Sequence, residues 1–149
     1  MNRKVAIACD FDGTIASRDV GHCFFERYVP DAAARDELLE RWMMGLVSSR
    51  ECLDSEIAWV QADAGDLDRF ADGEALDPFF GDFVDFCNRR RYEFVVLSDG
   101  LDRYIDRMLM NAALGYLHVR SNHLVVDDGR LAGIEYPWYD RLDLSLIHI

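Results

Sequence analysis

Lysine is almost missing from this sequence. Of sixteen basic residues in 149, Lys4 is the only lysine and the other fifteen are arginines. Positive charge is scarce altogether, because 28 acidic residues leave a net charge of −12 with neutral histidines. Phosphate contacts along a nucleic acid need clustered Lys and Arg, so no nucleic-acid partner is expected. The one basic run, Arg89-Arg90-Arg91, suits the C-terminal turn of a helix. Proline and glycine are few, at 3 and 10, while half of the residues are hydrophobic, which excludes a collagen-like or largely disordered chain. Long apolar runs are absent, so neither a membrane-spanning helix nor a membrane partner is expected. The N-terminus, Met1-Asn2-Arg3-Lys4, lacks the pattern of a secretory signal, and the expected location is cytoplasmic. Cys9, Cys23, Cys52 and Cys87 form no C-x-x-C pair. Buried free thiols are therefore expected, not a zinc site or a disulfide framework.

What is present reads as one α/β domain with an insert. Val5 to Cys9 is a continuous small apolar run that stops at Asp10, as in a strand buried on both faces of a parallel sheet. Phe94 to Leu97 is a second such run, stopping at Ser98-Asp99-Gly100. Between them the periodicity is helical. Leu38, Leu39, Trp42 and Leu46 predict one helix ending near Gly45. Ser48 with Glu51 predicts a capping box for the next, carrying Leu53, Ile57 and Val60. Residues 65–73 read as a polar loop with at most a short helix. Asp77-Pro78 predicts a helix start with Pro in the first position, and Phe79, Phe80, Phe83, Val84, Phe86 and Cys87 give that helix a wide apolar face. A helix with Tyr104, Ile105, Met108 and Leu109 on its apolar side follows Gly100, and Gly115 is placed to cap it. Leu117-His118-Val119 predicts a third strand. Leu124 to Ile134 predicts a β-hairpin turning at Asp127-Asp128-Gly129-Arg130.

The chemistry concentrates in Asp10-Phe11-Asp12-Gly13-Thr14. Two carboxylates two residues apart leave a buried strand together, where they repel, and one remedy is a divalent cation. Gly13 permits a sharp turn and Thr14 can hydrogen-bond the loop. Asp10 to Gly13 can also serve as an ordinary acidic turn. Ser98 can contact a ligand or cap the following helix, and the two roles are compatible.

Asp10-Phe11-Asp12-Gly13-Thr14 resembles the first motif of the haloacid dehalogenase superfamily, and Val96-Leu97-Ser98-Asp99-Gly100 resembles its second. The insert between them resembles the helical C1 cap of phosphoserine phosphatase-like members, and Ser98 to Asp102 with the later hairpin looks closest to the MtnX-like branch. The resemblance implies a Rossmann-like parallel sheet, with core segments 1–15 and 76–143 and a helical cap at 16–75. It implies Asp10 as the nucleophile, forming an aspartyl-phosphate, and Asp12 as general acid and then general base. It implies Mg²⁺ held by the Asp10 carboxylate and the Asp12 main-chain carbonyl. Ser98 would hold a phosphate oxygen, with the N–H groups around Asp99 and Gly100 at the start of the next helix. An acid at Asp12 argues for a phosphatase or phosphomutase, since dehalogenases lack it and P-type ATPases carry Thr.

The family's third motif, a Lys, and its fourth, an acidic pair after another strand, have no match here. Lys4 lies before the first motif, Arg141 falls very early, and Asp140 and Asp143 come too soon. Leu144-Ser145-Leu146-Ile147-His148-Ile149 looks like the in-frame translation of a transposase mosaic-end adaptor, so 144–149 are expected to be a non-native tail on a C-terminally truncated chain. Missing strands would leave an open sheet edge. The expected parent is a Mg²⁺-dependent phosphatase of a small phosphorylated metabolite, with a methionine-salvage enol phosphate or phosphoserine as candidates. The alternatives are a phosphomutase or phosphotransferase, or a non-catalytic fragment that binds a phosphometabolite or a protein. His22 with Cys23, and Arg18, Asp19 and Arg50, are expected mostly as packed or solvated groups. Phe24, Phe25 and Tyr28 are expected mainly in the core. Trp138 and Tyr139 could pack on the absent part. His118 and His123 carry no visible chemistry.

Overall fold

A computed structural model describes residues 5–139. Lys4, Asp140, Arg141, Asp143 and the 144–149 tail lie outside the described residues. The first apolar run folds as β1 (Ala6–Cys9). It passes into a tight turn, Phe11–Ile15, in which Gly13 takes φ +69°, a left-handed conformation that costs little only for glycine. Four helices follow: α1 (Val20–Tyr28), α2 (Ala32–Met43), α3 (Ser49–Trp59) and α4 (Ala64–Asp72). The chain then builds α5 (Phe80–Arg90), β2 (Glu93–Leu101), α6 (Asp102–Asn111), β3 (His118–Asp127) and β4 (Arg130–Glu135). The sheet order is β1-β2-β3-β4, with β1, β2 and β3 parallel and β4 antiparallel to β3. Parallel strands joined through helices make the Rossmann-like α/β arrangement that the resemblance implies.

Local signals explain most of the elements. At α3 the capping box closes in both directions, with the Glu51 N–H donating to Ser48 Oγ (3.2 Å) and the Ser48 N–H to the Glu51 carboxylate (2.8 Å). The hairpin turns through Asp128 and Gly129, both at positive φ, as a two-residue turn requires. Phe11, Ile15, Phe24 and Phe25 join Val96, Leu101, Ile105 and Leu109 in one buried cluster. The phenylalanines of α1 are thus core, as their spacing suggests.

Several expectations are corrected. Residues 64–72 are a full helix, α4, because Asp63 and Asp66 form a second capping box that the polar composition obscured. β1 is not buried on both faces. Ala6 and Ala8 are exposed, and β1 has β2 as its one strand neighbour among the described residues. Helix α5 begins at Phe80, two residues after Pro78, with Asp77 and Pro78 in a turn where Asp77 accepts the Phe79 and Phe80 N–H groups. Of its wide apolar face, Phe80, Val84 and Cys87 are buried, whereas Phe79, Phe83 and Phe86 are exposed. The predicted third strand and the first hairpin strand are one strand, β3. Ala113 (φ +59°), not Gly115, supplies the left-handed residue after α6.

The helices between β1 and α5 are stitched to the rest. Arg103 of α6 forms a two-point ion pair with Asp68 of α4 (2.7 and 2.8 Å), and Arg107 does the same with Asp72 (both 2.6 Å). Tyr136, just past β4, donates its hydroxyl to Asp54 of α3 (2.7 Å). The last of these ties holds α3, part of one wall of a pocket over the ends of β1 and β2.

Candidate active site

Cys9 pairs with Val96 at the end of the β1/β2 ladder, so Asp10 and Ser98 emerge at the same edge. In open α/β sheets this carboxyl end is where ligands bind. Beyond Leu97 the register slips. The step from Leu97 to Leu101 on β2 faces only the step from Arg120 to Asn122 on β3, so Ser98, Asp99 and Gly100 are accommodated as an irregularity in the strand. The Asn122 side chain secures it, donating to the Asp99 carbonyl at 2.6 Å. Helix α6 starts at Asp102 with Leu101 in the capping position. Asp99 and Gly100 therefore lie in the strand, not at the helix start, and Ser98 is not a helix cap. Its buried Oγ accepts the Gly100 N–H at 3.0 Å.

The two aspartates occupy different surroundings. The Asp10 carboxylate is exposed, with Thr14 Oγ1 donating to it at 3.4 Å. The Asp12 carboxyl is half-buried and held from both sides. Its Oδ1 accepts the N–H of Val20 at 2.8 Å, and its Oδ2 accepts the hydroxyl of Tyr104 at 2.6 Å and lies 3.5 Å from Ser98 Oγ. Burial pushes the Asp12 carboxyl up to about 6, against the opposing pull of the Tyr104 hydrogen bond, with the charge of Asp19 adding to the rise. Tyr104 is fully buried, and desolvation together with the Asp12 charge raises its phenol well above the usual range. The shared proton therefore stays on tyrosine, which acts as the donor.

A pocket of about 320 Å³ opens over these groups. Asp10, Asp12, Ser98, Asp99 and Gly100 line one side. Helices α1, α2 and α3 supply the other, with Phe25, Leu39, Trp42 and Leu53 as its apolar part. In that same wall Arg35 and Glu56, which also line the pocket, form a buried ion pair (2.9 Å), and Arg35 also donates to the His22 carbonyl at 3.1 Å. Glu56 is pushed up by burial, and Arg35 opposes the rise. Cys52 also lines the pocket, but burial raises its thiol to about 12, so it is not a nucleophile at neutral pH.

Arg18 pairs with Glu74 in two contacts, Asp19 caps α1 through the His22 N–H (2.8 Å), and Arg50 pairs loosely with Asp54. His22 and Asp19 nevertheless reach the pocket wall, and His123, read as bland, meets Asp102 at 2.5 Å. Among the described residues no group of three or more His, Cys, Asp or Glu side chains is placed to hold a metal. The donors that the resemblance implies are the Asp10 carboxylate, which lines the pocket, and the Asp12 carbonyl. Both are hard oxygens, and a pair of them fits Mg²⁺, an ion that keeps several waters and takes substrate phosphate oxygens as further ligands.

Three functional neighbours escaped the sequence reading: Tyr104, Arg35 and Glu56. Tyr104 sits among the apolar positions of α6, yet a buried tyrosine usually seeks a partner for its hydroxyl, and that was the available signal. Arg35 and Glu56 lie 21 residues apart on separate helices, and no local pattern joins them.

A family model for haloacid dehalogenase-like hydrolases matches residues 7–140. Among curated proteins, the 2-hydroxy-3-keto-5-methylthiopentenyl-1-phosphate phosphatase of Brevibacillus brevis is 26% identical over 73% of this chain and 49% of its own. Pdp3-interacting factor 1 of Schizosaccharomyces pombe is 25% identical over 85% and 55%. The chain thus spans about half the length of the curated relatives it matches. Among solved structures, a phosphoserine phosphatase captured as a phospho-aspartyl intermediate analogue superposes with a TM-score of 0.73 at 18% identity, over 91% of this chain and 64% of that one. A Salmonella enterica serovar Typhi hydrolase gives 0.75 at 18%, over 92% and 48%. These structural likenesses establish a shared fold. The match to residues 7–140 shows that the chain belongs to the haloacid dehalogenase-like hydrolase family.

Proposed function

We propose that the protein hydrolyses a small phosphate monoester through an aspartyl-phosphate on Asp10. The observation that carries this reading is the contrast between the two carboxyls at one sheet edge. One is open to the pocket, and the other is half-buried, hydrogen-bonded and raised to about 6. A phosphoryl transfer needs both a free nucleophile and a group that carries a proton near neutrality.

In the first step an Asp10 oxygen attacks phosphorus, and the bond from phosphorus to the leaving oxygen breaks. The proton on Asp12 passes to that oxygen, releasing an alcohol. In the second step Asp12, now a carboxylate, takes a proton from water as the water oxygen attacks phosphorus. The bond to Asp10 breaks, inorganic phosphate leaves, and both carboxyls return to their starting state. The Ser98 hydroxyl, oriented by the Gly100 N–H that it accepts, would donate to a phosphate oxygen at the same edge. Mg²⁺, bound by the Asp10 carboxylate and the Asp12 carbonyl, would neutralise charge between nucleophile and phosphate.

The pocket volume suits a small metabolite, and the apolar side chains of α1 to α3, beside the mutually paired Arg35 and Glu56, suit an organic portion with little net charge. The Brevibacillus relative's methylthiopentenyl phosphate has that character, and it is the first substrate to try. The test is phosphate release from a panel of monoesters with Mg²⁺, using the full natural reading frame that contains residues 5–139. Acid quenching should leave the mass of one phosphoryl group on the peptide containing Asp10. Phosphate release that survives Asp10→Asn would refute the assignment, and transfer to an added alcohol in place of water would make the protein a phosphotransferase.

A further inference from the structure

We propose that Tyr104 is a positioning residue for the proton-transfer group Asp12, an inference that rests on the phosphatase reading above. Nothing in the two sequence motifs announces it, since Tyr104 lies on α6, 92 residues from Asp12. Three observations carry it. The Tyr104 hydroxyl meets Asp12 Oδ2 at 2.6 Å, the shortest contact that the carboxyl makes with any described donor. The ring is fully buried and packs beside Phe11, with centroids 6.1 Å apart, so the hydroxyl cannot swing away. The backbone has also been cleared for the contact. A Cβ at Gly100 would collide with the Tyr104 hydroxyl and stand 2.6 Å from Asp12 Oδ2.

The geometry divides the work on the carboxyl. The Val20 N–H fixes Oδ1 and the Tyr104 hydroxyl fixes Oδ2, so the plane of the carboxyl is set by two donors from different elements. A general acid works only within hydrogen-bond reach of the oxygen it protonates, and small misplacements are expensive in rate. Tyr104 itself touches neither phosphate nor leaving group in this role. Its effect passes through Asp12.

The leaving group separates positioning from simple support of the fold. An alkyl phosphate releases a strongly basic alkoxide and needs the proton, whereas p-nitrophenyl phosphate releases a stable phenolate and barely does. Tyr104→Phe removes one oxygen and keeps the ring. With an alkyl monoester, kcat should fall by about tenfold or more while KM changes by less than about twofold. With p-nitrophenyl phosphate, kcat should fall by less than about threefold. Site-specific 3-fluorotyrosine at position 104 keeps the hydroxyl and should retain the wild-type ratio between the two substrates. It also stands in should the Phe variant not fold. Equal losses on both substrates, no loss on either, or a 3-fluorotyrosine enzyme as impaired as the Phe variant would overturn the proposal. Asp12→Ala is run alongside. If its loss does not depend on the leaving group, the proton-transfer reading of Asp12 has failed and takes the Tyr104 proposal with it. If Asp12→Ala shows the dependence and Tyr104→Phe does not, only the Tyr104 proposal falls.

Discussion

Asp10 and Asp12 are chemically identical and two residues apart, yet the fold treats them oppositely. Asp10 is exposed and has one long contact, from Thr14 at 3.4 Å. Asp12 is clamped between the start of α1 and a buried tyrosine on α6. The difference arises from the turn at Gly13. Phe11 and Ile15 turn into the core, and the chain between them folds back so that Asp12 meets the Val20 N–H. A nucleophile must be open to substrate and weakly held. A group that shuttles a proton gains from partial burial, which lifts its pKa toward neutrality, and from a fixed orientation. On the proposed mechanism, placing two aspartates in unlike surroundings gives one residue type two jobs.

The sharpest way to break this contrast is to disable the exposed member. Asp10→Asn should lower phosphate release by on the order of 10⁴-fold or more, with little change in unfolding free energy, because the side chain has few contacts to lose. Parallel activity assays and urea melts check both halves. Next comes the clamp. Gly100→Ala places a methyl group where the Tyr104 hydroxyl and Asp12 Oδ2 already meet. Tyr104 is locked in the core, so Asp12 must yield. A destabilisation of about 1–3 kcal/mol is expected, together with a collapse of kcat. Asp10→Asn leaves the melt unmoved and Gly100→Ala shifts it, so comparing their midpoints tests which carboxyl the fold invests in.

The edge that carries the two aspartates was legible in the sequence, and what was not legible has a physical cause. The apolar run before Asp10, the glycine at 13 and the Ser98-Asp99-Gly100 break are local signals, and each marks the site's edge. The capping box at Ser48 is equally local and forms as written. What failed were readings that depended on neighbours. β1 reads as doubly buried from composition, but its exposure depends on what packs against it. The helix after Gly100 begins later than glycine suggests, because Asn122 on β3 holds the strand irregularity open. Tyr104 was counted as apolar since its spacing on α6 is that of a core residue. Its partner lies across the fold, where periodicity carries no information. The Arg35 and Glu56 pair is hidden for the same reason.

Asp12→Asn tests the burial cost directly. The carboxyl has its ordinary value of 3.8 when unfolded and about 6 when folded. Between these values the native state binds more protons than the unfolded state, so stability falls as pH rises through the window. Below about pH 4 the carboxyl is protonated in both states and the cost vanishes. Above about pH 6 the full cost stands, on the order of 3 kcal/mol. Asparagine carries no charge, and its amide can donate to Tyr104 while its oxygen accepts from Val20. The variant should therefore be more stable than wild type by about 1–2 kcal/mol at pH 8 and no more stable at pH 4, although activity toward alkyl phosphates is lost. Urea melts at the two pH values, with a chelator present, give the comparison. A variant less stable than wild type at pH 8 would show that the clamp favours the carboxylate more than burial opposes it.

The smallest effect belongs to Thr14, the neighbour of the open carboxylate. Thr14→Val keeps the β-branched shape and removes only the hydroxyl that reaches Asp10 at 3.4 Å. That distance is beyond the range of a good O–H to O bond, and both groups are exposed, so water can replace the contact. Stability should change by less than about 0.5 kcal/mol and kcat by no more than about fivefold, equally for alkyl and aryl phosphates. Equality is the informative part, because a residue that only steadies the nucleophile takes no part in protonating the leaving oxygen. If Thr14→Val instead penalised alkyl phosphates selectively, proton delivery would depend on the Asp10 side of the turn as well. The division between a loosely held nucleophile and a clamped acid would then be too simple, and the five residues from Asp10 to Thr14 would have to be treated as one coupled unit.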